Sequence, residues 1–296
     1  MLKYALKRIL QIIPTMLILS ALVFYATRLL PGVPTADRVS FTGGNATHIE
    51  FIKYMSGVVR GDFGVSFRTG RPIINELVIR FPYTIMLAFG GIVIACLLGI
   101  ILGIVAAVNH NNKLDNLIMV TSLVTTSMPL FFLAVMFMLF FCVHLGVLPS
   151  RGLDSWKGFI LPIFTLGLPA VGFITRTTRS AMLDVLTHDY IRASKARGIP
   201  ERVIVYAHAF RNTLIPIMTA VAVRFGELLA GTVLVENSFS IPGMGRLVLD
   251  AVIYGDYNVL VAGVISLALA FLIINLIIDL LYHVADPRLS YDKKTQ

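Results

Sequence analysis

Two charged residues with the spacing to act together sit inside an apolar stretch. Arg224 and Glu227 are three residues apart in TLIPIMTAVAVRFGELLAGTVLV, and a helix places residues at that spacing on one face. A charge at the bilayer centre costs at least a few kcal/mol unless it is paired or turned toward water. The two residues therefore form a mutually neutralised pair that locks helices, or they line a pathway; the sequence leaves both readings open. Covalent chemistry has no visible machinery. The chain holds no GxxxxGK[ST] phosphate loop, no HExxH and no GxSxG, and its spans hold no convergent carboxylates, so neither ATP hydrolysis nor an intramembrane hydrolase is expected of it. Cys96 and Cys142 lie in apolar surroundings without CxxC spacing, and the six His show no ligand pattern. Both sets read as packing groups, and no metal site is expected. The hydroxylated run Thr121, Ser122, Thr125, Thr126 and Ser127 precedes Pro129 and reads as bonding helix backbones or packing helices ahead of touching cargo. Asn275 and Asp279 read as groups that bond between helices.

The elements carrying these groups are set by the solvent. Hydrophobic residues make up 57% of the chain and charged ones only 14%, a balance foreign to soluble domains. A membrane helix needs about 20 apolar residues to cross about 30 Å of hydrocarbon. Segments from Ile9 to Thr27, Tyr83 to Val108, Leu117 to Val147, Gly158 to Thr175, Thr213 to Val235 and Asn258 to Tyr282 meet that demand. The third is long for one span, and Pro129 predicts a kink in it. The first follows Lys3, Lys7 and Arg8 but is too long for a cleaved signal and reads as an anchor. The formal charge of +9 reflects Lys and Arg concentrated in the loops on one side, which places both termini in the cytoplasm.

One of those loops is more than a connector. The stretch from Arg176 to Asn212 carries Arg176, Arg179, Arg192, Lys195, Arg197, Arg202 and Arg211. Asp189 is placed to cap a short helix from Tyr190 to Arg197, Gly198 to end it in the left-handed conformation, and Pro200 to open the next. Tyr190, Ala193, Ser194 and Arg197 share one face, and the small Ala193, Ser194 and Ala196 admit a partner surface. By itself the stretch suits docking to a protein or lying on anionic lipid equally well.

From Thr177 to Pro216, TTRSAMLDVLTHDYIRASKARGIPERVIVYAHAFRNTLIP resembles the cytoplasmic EAA loop of ABC importer permeases, in the form found in the dipeptide/oligopeptide/nickel family. RLLPGVP at Arg28, RGDFGVSF at Arg60, FSIPGMGRL at Phe239 and DLLYHVADPRL at Asp279 resemble that family's other motifs, in the same order. Arg192 stands where the general motif has Glu, Val33 where the family usually has an acid, and the outer loop is shorter than is common. The resemblance implies an all-α integral membrane fold of six helices with the MetI-like architecture of a type I importer. It further implies that Asp189, Tyr190, Ile191, Arg192, Ala193, Ser194, Lys195, Ala196, Arg197 and Gly198 form the coupling helix seated on an ATPase subunit. The implied partners are a second permease, two ATPase subunits that use ATP and Mg, and an extracytoplasmic binding protein. No cofactor is expected on this chain itself.

The organisation expected is a first helix over 1–30, an extracytoplasmic loop over 31–82, a five-helix core over 83–282 with the coupling loop at 176–212, and a tail over 283–296. Pro242, Gly243, Met244 and Gly245 resist helix and predict a bend at the outer mouth, either a gate element or a plain surface turn. Arg224 and Glu227 are the candidate pathway residues. Cargo is open among peptides, nickel, metal chelates and glutathione, with peptide leading on family prevalence. The rival class is a secondary transporter, which would show repeated broken helices with ionisable groups at the midplane.

Overall fold

The computed structural model describes residues 2–29, 44–150 and 155–285. Val33, the rest of RLLPGVP beyond Leu29, residues 31–43 and residues 286–296 lie outside that set, as does the side chain of Asp279. The described residues fold into helices joined by short turns, with one isolated bridge between Val65 and Pro72. In chain order the helices are α1 (Leu2–Leu29), α2 (Gly44–Val59), α3 (Ile73–Val108), α4 (Lys113–Ser127), α5 (Leu130–Phe137), α6 (Lys157–Leu186), α7 (Asp189–Ala196), α8 (Glu201–Val203), α9 (Phe210–Ser238), α10 (Met244–Tyr254) and α11 (Tyr257–Ala285). Two π-helical stretches, Met138–His144 and Ile204–Ala209, continue α5 and join α8 to α9. Among the described residues five helices are long and apolar enough to cross a membrane, and the bent pair α4 and α5 makes a sixth if it counts as one span.

Three expectations change. The third segment is not one kinked helix: it breaks at Met128 and Pro129 and turns by 104°. Pro129 is extended at ψ 138° and stands before α5; its ring disfavours the helical conformation for Met128, which is itself extended at ψ 130°, and removes one helical hydrogen bond. Residues 31–82, read as loop, contain α2 and the first turns of α3, which starts ten residues ahead of Tyr83 and passes straight through Pro82. At 36 residues α3 is about 54 Å long, well beyond the hydrocarbon thickness, so an apolar window locates its spanning part and not its ends. The fourth helix likewise runs on to Leu186, so Arg176 and Arg179 belong to α6 and the connector begins later than expected.

The chain divides into two compact units, one made of Met1–Ile85 and Ile241–Ile277, the other of Met86–Ser240 and Ile278–Gln296. In the first, Phe24 of α1 is buried against Phe51 and Tyr54 of α2 and Val261 and Ile265 of α11. A second cluster joins Ile73 and Leu77 to Met244, Leu247 and Val259.

The second unit packs by close approach. A Cβ on Gly103 would lie 2.5 Å from Thr178 Cβ, and one on Gly172 of α6 would lie 2.5 Å from the Ser122 carbonyl and 2.6 Å from the hydroxyls of Thr125 and Thr126 in α4. Lipid tails are as apolar as Leu, so helix association in a bilayer relies on such backbone proximity. The hydroxylated run behaves as read: Thr121, Thr125, Thr126 and Ser127 each donate to a carbonyl of their own helix. Gly172→Val is expected to lower the apparent melting temperature of the detergent-solubilised protein by several degrees, since overpacking costs about 1–3 kcal/mol. An unchanged value would show that α4 and α6 do not meet there.

Candidate functional site

The short helix α7 lies where the sequence placed a docking element, shifted by one residue. His188, extended at ψ 149°, precedes it, so Asp189 is the first helical residue instead of the cap and sets its carboxylate at the positive end of the helix. Arg197 follows the last turn and Gly198 takes φ +73°, the left-handed stop expected of it. Pro200 likewise stands just before α8, one position earlier than read.

One residue anchors this helix. Ile191 is fully buried among Ile104, Met182, Ile204, Val205 and Ala209. Asp189, Tyr190, Arg192, Ala193, Lys195, Ala196, Arg197 and Gly198 are exposed and Ser194 is half-buried. The expected face therefore stands open at Tyr190, Ala193 and Arg197, while the Ser194 hydroxyl donates to the Tyr190 carbonyl. Tyr190 stacks on His188 at 5.8 Å, and its hydroxyl accepts a 2.9 Å hydrogen bond from Asn212 Nδ2. The same amide donates to the His208 carbonyl at 2.8 Å. Two links thus tie α7 to the base of α9, the Ile191 cluster with the π-helical turn and the bond between Tyr190 and Asn212. Neither Asn212 nor the π turn carries a signal readable in the sequence. An open recess of about 510 Å³ between Arg176, Ser180, Asp184 and Pro216 lies along the same stretch of α6 and α9.

A second unforeseen feature sits at the start of α4. Asp115 is 1% exposed and accepts two bonds from Arg179 of α6, from Nε at 2.6 Å and from Nη2 at 2.7 Å. The Asn111 amide donates to the same carboxylate at 3.0 Å, and His110 Nδ1 lies 3.0 Å from Arg179 Nη2. Asn111 holds φ +65°, which aims its N–H at the carboxylate. A two-pronged guanidinium fork fixes orientation as well as charge. The partners are 64 residues apart, which is why the sequence showed Arg179 only as one basic residue among several.

Within α9, Arg224 and Glu227 form the ion pair that their spacing allowed. The Arg224 guanidinium also lies over the Phe173 ring, 3.7 Å from its centroid. Its Nε is buried with no hydrogen-bond partner, whereas the Glu227 side chain is 54% exposed.

The first unit holds the segment expected at the outer mouth. Pro242 and Gly243 make the non-helical turn, but Met244 and Gly245 open α10 and are buried, so the segment is an anchor in the unit's core and not an exposed turn. The Met244 N–H donates to Thr84 Oγ1 at 2.8 Å. At the far end of α10, Gly255 takes φ +69° and Asp256 is buried; its carboxylate accepts from the Ser66 hydroxyl and from the Phe67 and Arg68 amides. RGDFGVSF thereby gains a structural reason: its Ser66 and Phe67 are tied to the turn before α11.

Among the described residues, an all-helical bundle of apolar spans with a short, mostly exposed helix on a connector marks an integral membrane protein, and its fold is the MetI-like one. The inward-facing structure of the MetNI methionine ABC transporter superposes with a TM-score of 0.62 over 71% of this chain and 96% of that one, at 21% identity. The family model described as binding-protein-dependent transport system inner membrane component matches residues 99–291. The glutathione transport system permease protein GsiC of Salmonella typhimurium is 40% identical over 98% of this chain and all of its own length. Its counterpart in Escherichia coli K12 is 38% identical with the same coverage. This chain belongs to the family of inner membrane components of binding-protein-dependent transport systems, the permease subunits of ABC importers.

Proposed function

We propose that this chain forms half of the translocation pathway of an ATP-driven importer whose cargo is glutathione or a closely similar short peptide. The observation that carries the cargo is the full-length likeness to glutathione permeases. Glutathione is itself a tripeptide, so this narrows the expectation of a di- or oligopeptide and takes precedence over nickel or a metal chelate. A second permease completes the pathway, and two ATPase subunits supply hydrolysis with Mg and ATP. A binding protein delivers cargo on the side opposite α7, and both termini lie in the cytoplasm.

The exposed helix Asp189 to Gly198 supports the coupling role. It presents small and basic residues outward while a single buried Ile191 roots it. Nucleotide-driven motion of a docked subunit would bias the bundle between two states, as coupling requires. Arg224 and Glu227 are the pathway residues, and the turn at Pro242 and Gly243 with Met244 and Gly245 sets where α10 starts.

The reading is tested in proteoliposomes holding the assembled complex. Uptake of labelled glutathione is expected to need both ATP and the loaded binding protein. Uptake of a dipeptide but not of glutathione would move the cargo back to ordinary peptides, and uptake without ATP would overturn the importer assignment.

A further inference from the structure

Resting on the glutathione reading above, we propose that Arg224 and Glu227 form a transit subsite for an α-amino-acid head group, an ammonium and a carboxylate carried on the same carbon.

The pair is neutral as a whole, and all its contacts among the described residues are accounted for. Arg224 meets Glu227 and the Phe173 ring, and its Nε has no partner. A guanidinium has five N–H donors and a carboxylate about four acceptor positions. One ion-pair contact between them leaves donors on one side and acceptors on the other. Glu227 is 54% exposed in a membrane-spanning helix, where lipid contact at such a carboxylate is costly. Its open side therefore faces an aqueous or polar path.

Size and chemistry select the ligand. The recess beside the pair, walled by Leu130, Leu166, Pro169 and Leu228, has a cavity volume of about 80 Å³. One water needs roughly 10–15 Å³ on that measure, so the recess takes a small polar head and not a whole tripeptide. An α-amino-acid head is neutral overall and carries its opposite charges a bond or two apart. Placed at the pair, its ammonium meets the Glu227 carboxylate and its carboxylate meets the guanidinium, giving a closed ring of alternating charge. A lone anion or cation would satisfy one residue and be repelled by the other. Linear α-linked peptides separate their two charges by the length of the chain. A γ-linked glutamyl residue keeps both on one carbon, and glutathione has that linkage.

The test uses the assembled complex in proteoliposomes with binding protein saturated by each probe: glutathione, S-methylglutathione, which keeps the head, and N-acetylglutathione, which loses the ammonium. The wild type is expected to carry the first two alike and the third slower by about tenfold, the weight of a charged hydrogen bond. Glu227→Gln is expected to erase that difference. The double variant R224Q/E227Q leaves no unpaired charge and is expected to erase it as well, so the outcome does not hang on the folding of one protein. Equal discrimination in wild type and both variants would overturn the subsite while leaving the glutathione importer standing. No uptake of any probe by the wild type would overturn the glutathione reading and the subsite with it.

Discussion

Ala193→Trp is expected to uncouple the transporter, with uptake falling at least tenfold while the protein still inserts at near-normal levels. Ala193 is exposed on α7 and outside the apolar spans, so the larger ring has room in the isolated chain. It has none if an ATPase groove closes over that face, because interfaces pack as densely as interiors. Co-purification of the ATPase subunits should drop, or they should hydrolyse ATP without moving cargo. Gly198→Val attacks the same element through the backbone: φ +73° is a conformation that a β-branched residue resists. Its effect is to misaim α7 without filling the docking face. Full transport and normal ATPase binding in the Ala193→Trp protein would show that this face is not the docking surface, and the basic helix would then be read as lying on anionic lipid.

Asp115→Ala is expected to be the most damaging substitution in the second unit. It leaves the Arg179 guanidinium, held between α4 and α6, without the carboxylate that accepts two of its donors. Breaking a buried ion pair from one side costs about 3–5 kcal/mol, a large part of the 5–15 kcal/mol by which domains are stable. The paired substitution Asp115→Leu with Arg179→Met removes both charges and is expected to recover most of that loss. Melting of the purified complex measures the cycle. A double variant as unstable as the two single losses added together would mean that the groups are not coupled.

The rival reading as a secondary transporter called for broken helices, and one is present at Met128 and Pro129. The rival called for repeated breaks with ionisable groups at the midplane, and one break does not meet that description. The family match over residues 99–291 decides against it, which shows how little a single proline-marked break says about the energy source.

How much was legible follows from the range of each interaction. The sequence by itself determined the solvent, the apolar segments other than the broken third, the stop at Gly198, the shared helical face of Arg224 and Glu227 and the family, because each depends on composition, on residues within one helical turn or on ordered motifs. Helix ends were less legible: a span is bounded by hydrophobicity, whereas α3 and α6 continue through polar residues as long as their backbone bonds are met. Only the tertiary structure brought Asp115 to Arg179, Ser66 to Asp256 and Asn212 to Tyr190. Those pairs are 64, 190 and 22 residues apart, and no periodicity carries information over such separations. Each polar group takes whichever partner the packed helices bring within about 3 Å, so its choice is made by the fold and not by its neighbours in the chain.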